Sequence, residues 1–124
     1  MYVCIISLLY YCIVVHKIFF YSIEAMEAMV GMRSLVALDL SHNKIPIIEA
    51  DFFKDLVNLQ VLNLAHNQIV QLRPNTLTSL KRLHALILSN NNLDEKGLAS
   101  EVLSGMTDLR SLSLDHNRLR NLPR

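Results

Sequence analysis

Three histidines recur in one local setting. His42 lies in Ser41–His42–Asn43, His66 in Ala65–His66–Asn67 and His116 in Asp115–His116–Asn117. A related site carries Asn90 ahead of Asn91. Imidazole is a frequent metal ligand, and Asp115 lies next to His116 as a further candidate ligand. That chemistry needs the side chains to converge, and Asn90 interrupts the row. Cys4 and Cys12 do not help, because both sit in an N-terminal apolar stretch with no zinc or redox spacing. Solvated turn residues are the reading the pattern favours. At most, these histidines would make partner binding sensitive to mildly acidic pH.

Other catalytic signals are absent from the sequence. The glycines Gly31, Gly97 and Gly105 form no phosphate-cradling loop. No serine or cysteine stands in a recognised nucleophile motif. The expectation is a protein that is not an enzyme and needs no cofactor or metal.

The elements that carry the histidines are repeated. Leu59 to Ile69 reads LQVLNLAHNQI and fits L-x-x-L-x-L-x-x-N-x-L through Leu59, Leu62, Leu64, Asn67 and Ile69. LVALDLSHNKI from Leu35, LHALILSNNNL from Leu83 and LRSLSLDHNRL from Leu109 are three more copies. The period follows from the first leucines: 59 − 35 = 24, 83 − 59 = 24 and 109 − 83 = 26. That period and pattern identify a leucine-rich repeat, which is about 20–29 residues long. The expected fold is α/β: a leucine-rich-repeat solenoid of about four full repeats plus a partial N-terminal one. Short parallel strands line its concave face, and helical or irregular crossovers line its convex face.

Each strand alternates, with Leu62 and Leu64 inward and Asn63 outward in the second copy. Glu49 to Leu56 is expected as a short helix, and Pro74 to Leu80 as a 3₁₀ or irregular turn. The third crossover holds the two extra residues near Asp94 to Gly97. It then continues into GLASEVLSGM, a helical stretch with Asp94 as its N-cap. Asn43, Asn67, Asn91 and Asn117 fall at the turn leaving each strand. Their amides are expected to bond backbone groups as a structural ladder.

The outward strand positions form the default binding face. They read Ala37, Val61, Ala85, Ser111, then Asp39, Asn63, Ile87, Ser113, then Ser41, Ala65, Ser89, Asp115. Asp39, Val61, Asn63, Ala85, Ile87 and Ser113 are the candidate contacts for a protein ligand. The row is small, mixed and free of the Trp, Tyr and Arg that favour hot spots. Formal charge is +1, with no clustered basic stretch, which excludes a nucleic-acid footprint.

Residues 1–23 are strongly apolar and follow no repeat register, so residues 24–124 are read as the repeat domain. Met29 and Met32 mark the tail of an incomplete leading unit. Its strand is expected to be missing or degenerate, since Phe19 falls at the asparagine position. Three readings fit the apolar segment. A secretory signal suits its length, but no Lys or Arg precedes the run and no A-x-A site follows. A membrane anchor suits Tyr2 to Ile23, and would bring membrane association, but it would bury Lys17. The third is an extension incidental to the array. No N-x-[ST] acceptor occurs.

LDLSHNKI (Leu38 to Ile45), LNLAHNQI (Leu62 to Ile69), LSLDHNRL (Leu112 to Leu119) and Phe53 resemble the typical-length repeats of animal cell-surface and secreted leucine-rich-repeat proteins. Insect adhesion and receptor ectodomains of the chaoptin and Toll-like kind are similar in flavour. Leu77, Leu103 and Met29 depart from the phenylalanine at the Phe53 position. The resemblance covers the chain from about Glu24 to Arg124. It implies a curved solenoid that binds proteins, often outside the cell or at its membrane. Cysteine-rich caps usual in extracellular members are not visible, and the expectation is a segment of a longer array. The alternatives are an intracellular scaffold or regulatory subunit, or the repeat portion of a larger enzyme.

Overall fold

The computed structural model describes residues 4–5, 12–16 and 31–120. Its elements in chain order are β1 (Cys4–Ile5), β2 (Cys12–His16), β3 (Ala37–Asp39), β4 (Ile47–Ile48), β5 (Val61–Asn63), β6 (Gln71–Leu72), β7 (Ala85–Ile87), α1 (Ser100–Leu103) and β8 (Ser111–Ser113). One sheet has the order β1-β2-β3-β5-β7-β8, and a second, two-stranded sheet pairs β4 with β6.

The repeat register is carried directly into strand pairing. Ala37 faces Val61, Ala85 and Ser111 in turn, and Asp39 faces Asn63, Ile87 and Ser113, all in parallel pairs. Between these outward rows lies the inward row Leu38, Leu62 and Leu86, at most 1% exposed. Leu35, Leu59 and Leu83 close the core on one side, and Ile45, Ile69 and Leu93 on the other. Phe53, Leu56, Leu77, Leu80, Leu98 and Val102 fill it from the convex side. Each such side chain contributes about 1.5–3 kcal/mol through burial. The last repeat is different: Leu112 is 37% exposed, and Leu109, Leu114 and Leu119 are only partly covered.

The leading strand is present and takes the degenerate form of the two expected. β2 pairs parallel with β3, matching Cys12 to Ala37, Ile13 to Leu38 and Val14 to Asp39. The spacing is 37 − 12 = 25 residues, so a count of 24 misses it. A ladder of backbone bonds requires no leucine consensus, and Ile13, Val14 and Val15 are β-branched residues that suit a strand. β1 pairs antiparallel with β2 through Cys4–His16 and Ile5–Val15. The sheet therefore runs across the boundary drawn between residues 23 and 24. The signal, anchor and extension readings otherwise fall on residues outside the described set.

The first crossover is tighter than expected. Glu49 to Leu56 forms consecutive turns, with Phe52 N donating to Glu49 O, Lys54 N to Asp51 O and Leu56 N to Phe53 O. Eight residues offer too few helical bonds to repay nucleation. The turns also bury the adjacent Phe52 and Phe53 together, their rings edge-to-face at 5.0 Å. Pro74 to Leu80 uses turns of the same kind. Among the described residues, a true helix forms only at α1, four residues long. Asp94 does not cap it. The N-cap is Ala99, with no side-chain bond, whereas Asp94 Oδ1 accepts from Lys96 N at 3.0 Å and Gly97 N at 2.8 Å. The insertion thus builds its own turn before the helix begins.

That turn explains Gly97. Leu72 N of β6 donates to Gly97 O at 2.9 Å, drawing the two backbones together. A Cβ on Gly97 would stand 2.0 Å from Val70 O. Overpacking against backbone costs about 1–3 kcal/mol. Gly97→Ala should therefore lower the denaturation midpoint and speed exchange of the Leu72 amide; unchanged values for both would refute this close packing.

Candidate functional site

The concave sheet presents small side chains. Val61 is 38% exposed, and Ala37, Asp39, Asn63, Ala85, Ile87 and Ser113 are half-buried. The structure brings Asp39, Asn63, Ile87 and Ser113 into one row and Val61 and Ala85 into the next. Val61, Ala85 and Ile87 together make a shallow apolar patch. Two of its polar neighbours are held in place by their own chain. Asp39 Oδ1 accepts from Ser41 N at 2.9 Å and Ser41 Oγ at 2.6 Å, and Asn63 Oδ1 accepts from Ala65 N at 3.0 Å. These local bonds pull the chain inward at the strand end. Ser41 and Ala65 are consequently buried, at 8% and 7%, rather than outward as their alternation suggested.

The histidine row has a backbone explanation. His42, His66, Asn90 and His116 have φ of 61°, 55°, 59° and 57°. This left-handed region disfavours most side chains, and Asn and His are among those enriched there. Asn90 therefore satisfies the same conformational demand as the histidines rather than interrupting a chemical series. The His42 and His66 rings stack with centroids 4.4 Å apart and planes 7° from parallel. Nitrogen lone pairs lie in the ring planes, so stacked rings do not converge on one ion. Among the described residues, no group of three or more His, Cys, Asp or Glu is placed to hold a metal.

The titration of Asp115 is lowered. A 2.5 Å hydrogen bond from Ser89 Oγ holds its carboxyl below the ordinary value, helped by its own backbone and by His116 and His66. The serine hydroxyl donates to the carboxylate, a bond that favours the charged form of Asp115. A depressed folded pKa means the bond's contribution is present above the unfolded carboxylate pKa and is lost as pH falls through the folded value. Ser89→Ala should move the Asp115 titration upward toward 3.8, as followed by carboxyl NMR. An unmoved midpoint would contradict the assignment of cause.

The four asparagines run beside this face. Asn67 Oδ1 accepts from Asn43 N and Ile45 N, and its Nδ2 donates to Leu40 O, Leu64 O and Ala65 O. Asn91 Oδ1 accepts from Ile69 N while Nδ2 donates to Leu64 O, Leu88 O and Ser89 O. Asn117 repeats the pattern through Leu93 N, Leu88 O, Leu114 O and Asp115 O. Asn43 Nδ2 donates to Leu40 O and Ser41 O. Asn43, Asn67 and Asn91 are buried, and Asn117 is half-buried.

A second polar thread escaped the sequence reading. Asn58 Nδ2 donates to Arg33 O at 2.6 Å, and Asn58 Oδ1 accepts from Arg82 Nη1 at 2.8 Å. These contacts join three successive repeats on the side where the chain enters each strand. The equivalent residues Ser34, Arg82 and Asp108 share no chemistry, so no periodic signal marks them.

Comparison with known proteins agrees with this geometry. The family described as "Leucine rich repeat" matches residues 33–93. This chain is a leucine-rich-repeat protein. A solved internalin from Listeria monocytogenes is 32% identical over 73% of the chain, with a TM-score of 0.59. A solved leucine-rich-repeat protein of Leptospira interrogans is 27% identical over 91%, with a TM-score of 0.74. The chain spans 25% and 27% of the lengths of those two proteins. No curated protein matches it. Leucine-rich repeats are protein–protein interaction modules in general, and typically non-enzymatic. Among the described residues of this repeat protein, no helix is long and apolar enough to cross a membrane.

Proposed function

We propose that this chain is a non-catalytic binding module whose concave sheet receives a protein ligand. The observation that carries this reading is the outward patch of Val61, Ala85 and Ile87, drawn from two adjacent rows. It stands on the fully buried inward leucines Leu62 and Leu86. Packing below fixes the strands, so the outward side chains form a surface that is ordered before binding. Preorganisation reduces the ordering cost of association. Small side chains also let a partner's backbone approach closely and supply the larger anchors itself.

The resemblance to adhesion and receptor repeats supports an extracellular or membrane-associated setting. The pairing of β2 with β3 is compatible with the alternative, an intracellular scaffold in which residues 12–16 stay part of the sheet. A reporter fused to residues 1–25 separates them: secretory entry supports the first, and cytosolic retention the second. For the binding face, Ile87→Glu is expected to weaken partner capture at least about tenfold, the effect of a central interface residue. Glu101→Gln on the convex side should leave capture unchanged. Equal capture by wild type and Ile87→Glu would count against concave recognition.

A further inference from the structure

We propose that the rim of the concave sheet, at the turns leaving β3 and β5, takes an acidic segment of the protein ligand through Lys44 and the stacked pair His42 and His66. Burial alternates along these turns. Asn43, Ile45, Asn67 and Ile69 are buried, while His42, Lys44, His66 and Gln68 are exposed. The exposed four therefore form one patch across two successive repeats. The imidazole rings within it stack at 4.4 Å.

The residue type at position 44 is not the one its backbone favours. Asn67 Oδ1 accepts from both Asn43 N and Ile45 N, at 2.9 and 3.0 Å, which folds the chain about Lys44. Lys44 stands at φ 58°, in the left-handed region, and the equivalent Gln68, Asn92 and Arg118 do not. Glycine or asparagine meets that demand with less strain. An exposed lysine adds no buried packing to offset it. Strain kept at a surface residue points to a role for its side chain.

The charge at this rim has no counterpart. Among the described residues, no carboxylate lies within ion-pair distance of Lys44, His42 or His66. Asp39, at the end of β3, accepts from Ser41 N and Oγ. The next turn, Ser89 to Asn92, carries no charged residue. Asp115, one turn further, is bonded by Ser89 Oγ and meets the field of His66 only through space. Imidazole gains a proton at mildly acidic pH. Two stacked imidazolium rings repel, and an acidic group beside them offsets the repulsion. Acid and protons therefore reinforce each other's binding. The inference rests on the concave-face reading, but its probe does not need the native partner.

The test follows backbone amides of the full chain by NMR as an acetylated hexa-aspartate peptide is added. Aspartate stays ionised at about pH 5.5. Saturable shifts are expected at His42, Lys44, His66 and Gln68, with affinity at least about threefold higher at about pH 5.5 than at about pH 7.5. Lys44→Asn, which suits the backbone, should weaken peptide binding at least about threefold while the melting temperature holds or rises. His66→Asn, matching Asn90 at the equivalent turn, should remove most of the pH dependence. No saturable shifts at the rim, equal binding by Lys44→Asn, or a lowered melting temperature for Lys44→Asn would each overturn the proposal. So would the same shifts with inorganic phosphate alone, or shifts centred on Arg118 and Arg120. Any of these leaves the Ile87→Glu capture test standing, since that test reads the native partner.

Discussion

Asn67→Asp is expected to lower stability by about 3 kcal/mol or more. Asn67 is only 7% exposed and sits between two repeats. Its amide NH2 donates to Leu40 O, Leu64 O and Ala65 O. A carboxylate keeps the two acceptor contacts, to Asn43 N and Ile45 N, but turns its other side against those carbonyls. A buried polar group left without its partner costs about 1–3 kcal/mol, and a poorly matched buried charge more. For a domain of this size the melting temperature should fall by on the order of 10 °C. Asn117→Asp, made at a half-buried position, should fall by clearly less. Equal melting of Asn67→Asp and wild type would refute the ladder as a source of stability.

Phe53→Ala should cost about 3–5 kcal/mol, the range for removing a fully buried aromatic ring. Phe53 is 0% exposed and meets Phe52 edge-to-face. It is the largest fully buried side chain of the core. The urea midpoint should fall while the slope of the transition is unchanged. In a solenoid each repeat contacts only its neighbours. Amide protection should therefore drop most around Ile48 and Leu72 and least at β8. A loss below about 1 kcal/mol would show that the site collapses freely.

The solenoid was legible because its stabilising contacts are periodic. Leu62 and Leu64 each meet a counterpart one repeat away, so leucine spacing reports the pairing of β3, β5, β7 and β8 directly. The outward rows follow from alternation alone, as Val61–Ala85 and Asn63–Ile87 demonstrate. Features without a repeated side chain were not legible. β2 rests on backbone pairing and β-branched residues, neither of which preserves the consensus. The β4–β6 sheet uses unlike residues, Ile47–Ile48 beside Gln71–Leu72. Gly97 matters through a backbone approach that only coordinates reveal.

The candidate site was legible by position and less so by role. Ser41 and Ala65 followed the alternation on paper, but Asp39 and Asn63 draw the chain away from the strand there. The histidines stood out by type, yet their positive φ accounts for the row without any ligand. The nature of the bound partner depends on the shape and charge of a second molecule, which no spacing within this chain encodes.

The ordered concave row is proposed as the surface that meets a protein partner. The most direct measurement is site-specific photo-crosslinking of the chain expressed in its native cells. A photoreactive residue is placed at Ile87 in one variant and at Glu101 on the convex α1 in another. A discrete protein adduct is expected from position 87 and none from position 101. An adduct from position 101 alone, or equal adducts from both, would contradict it.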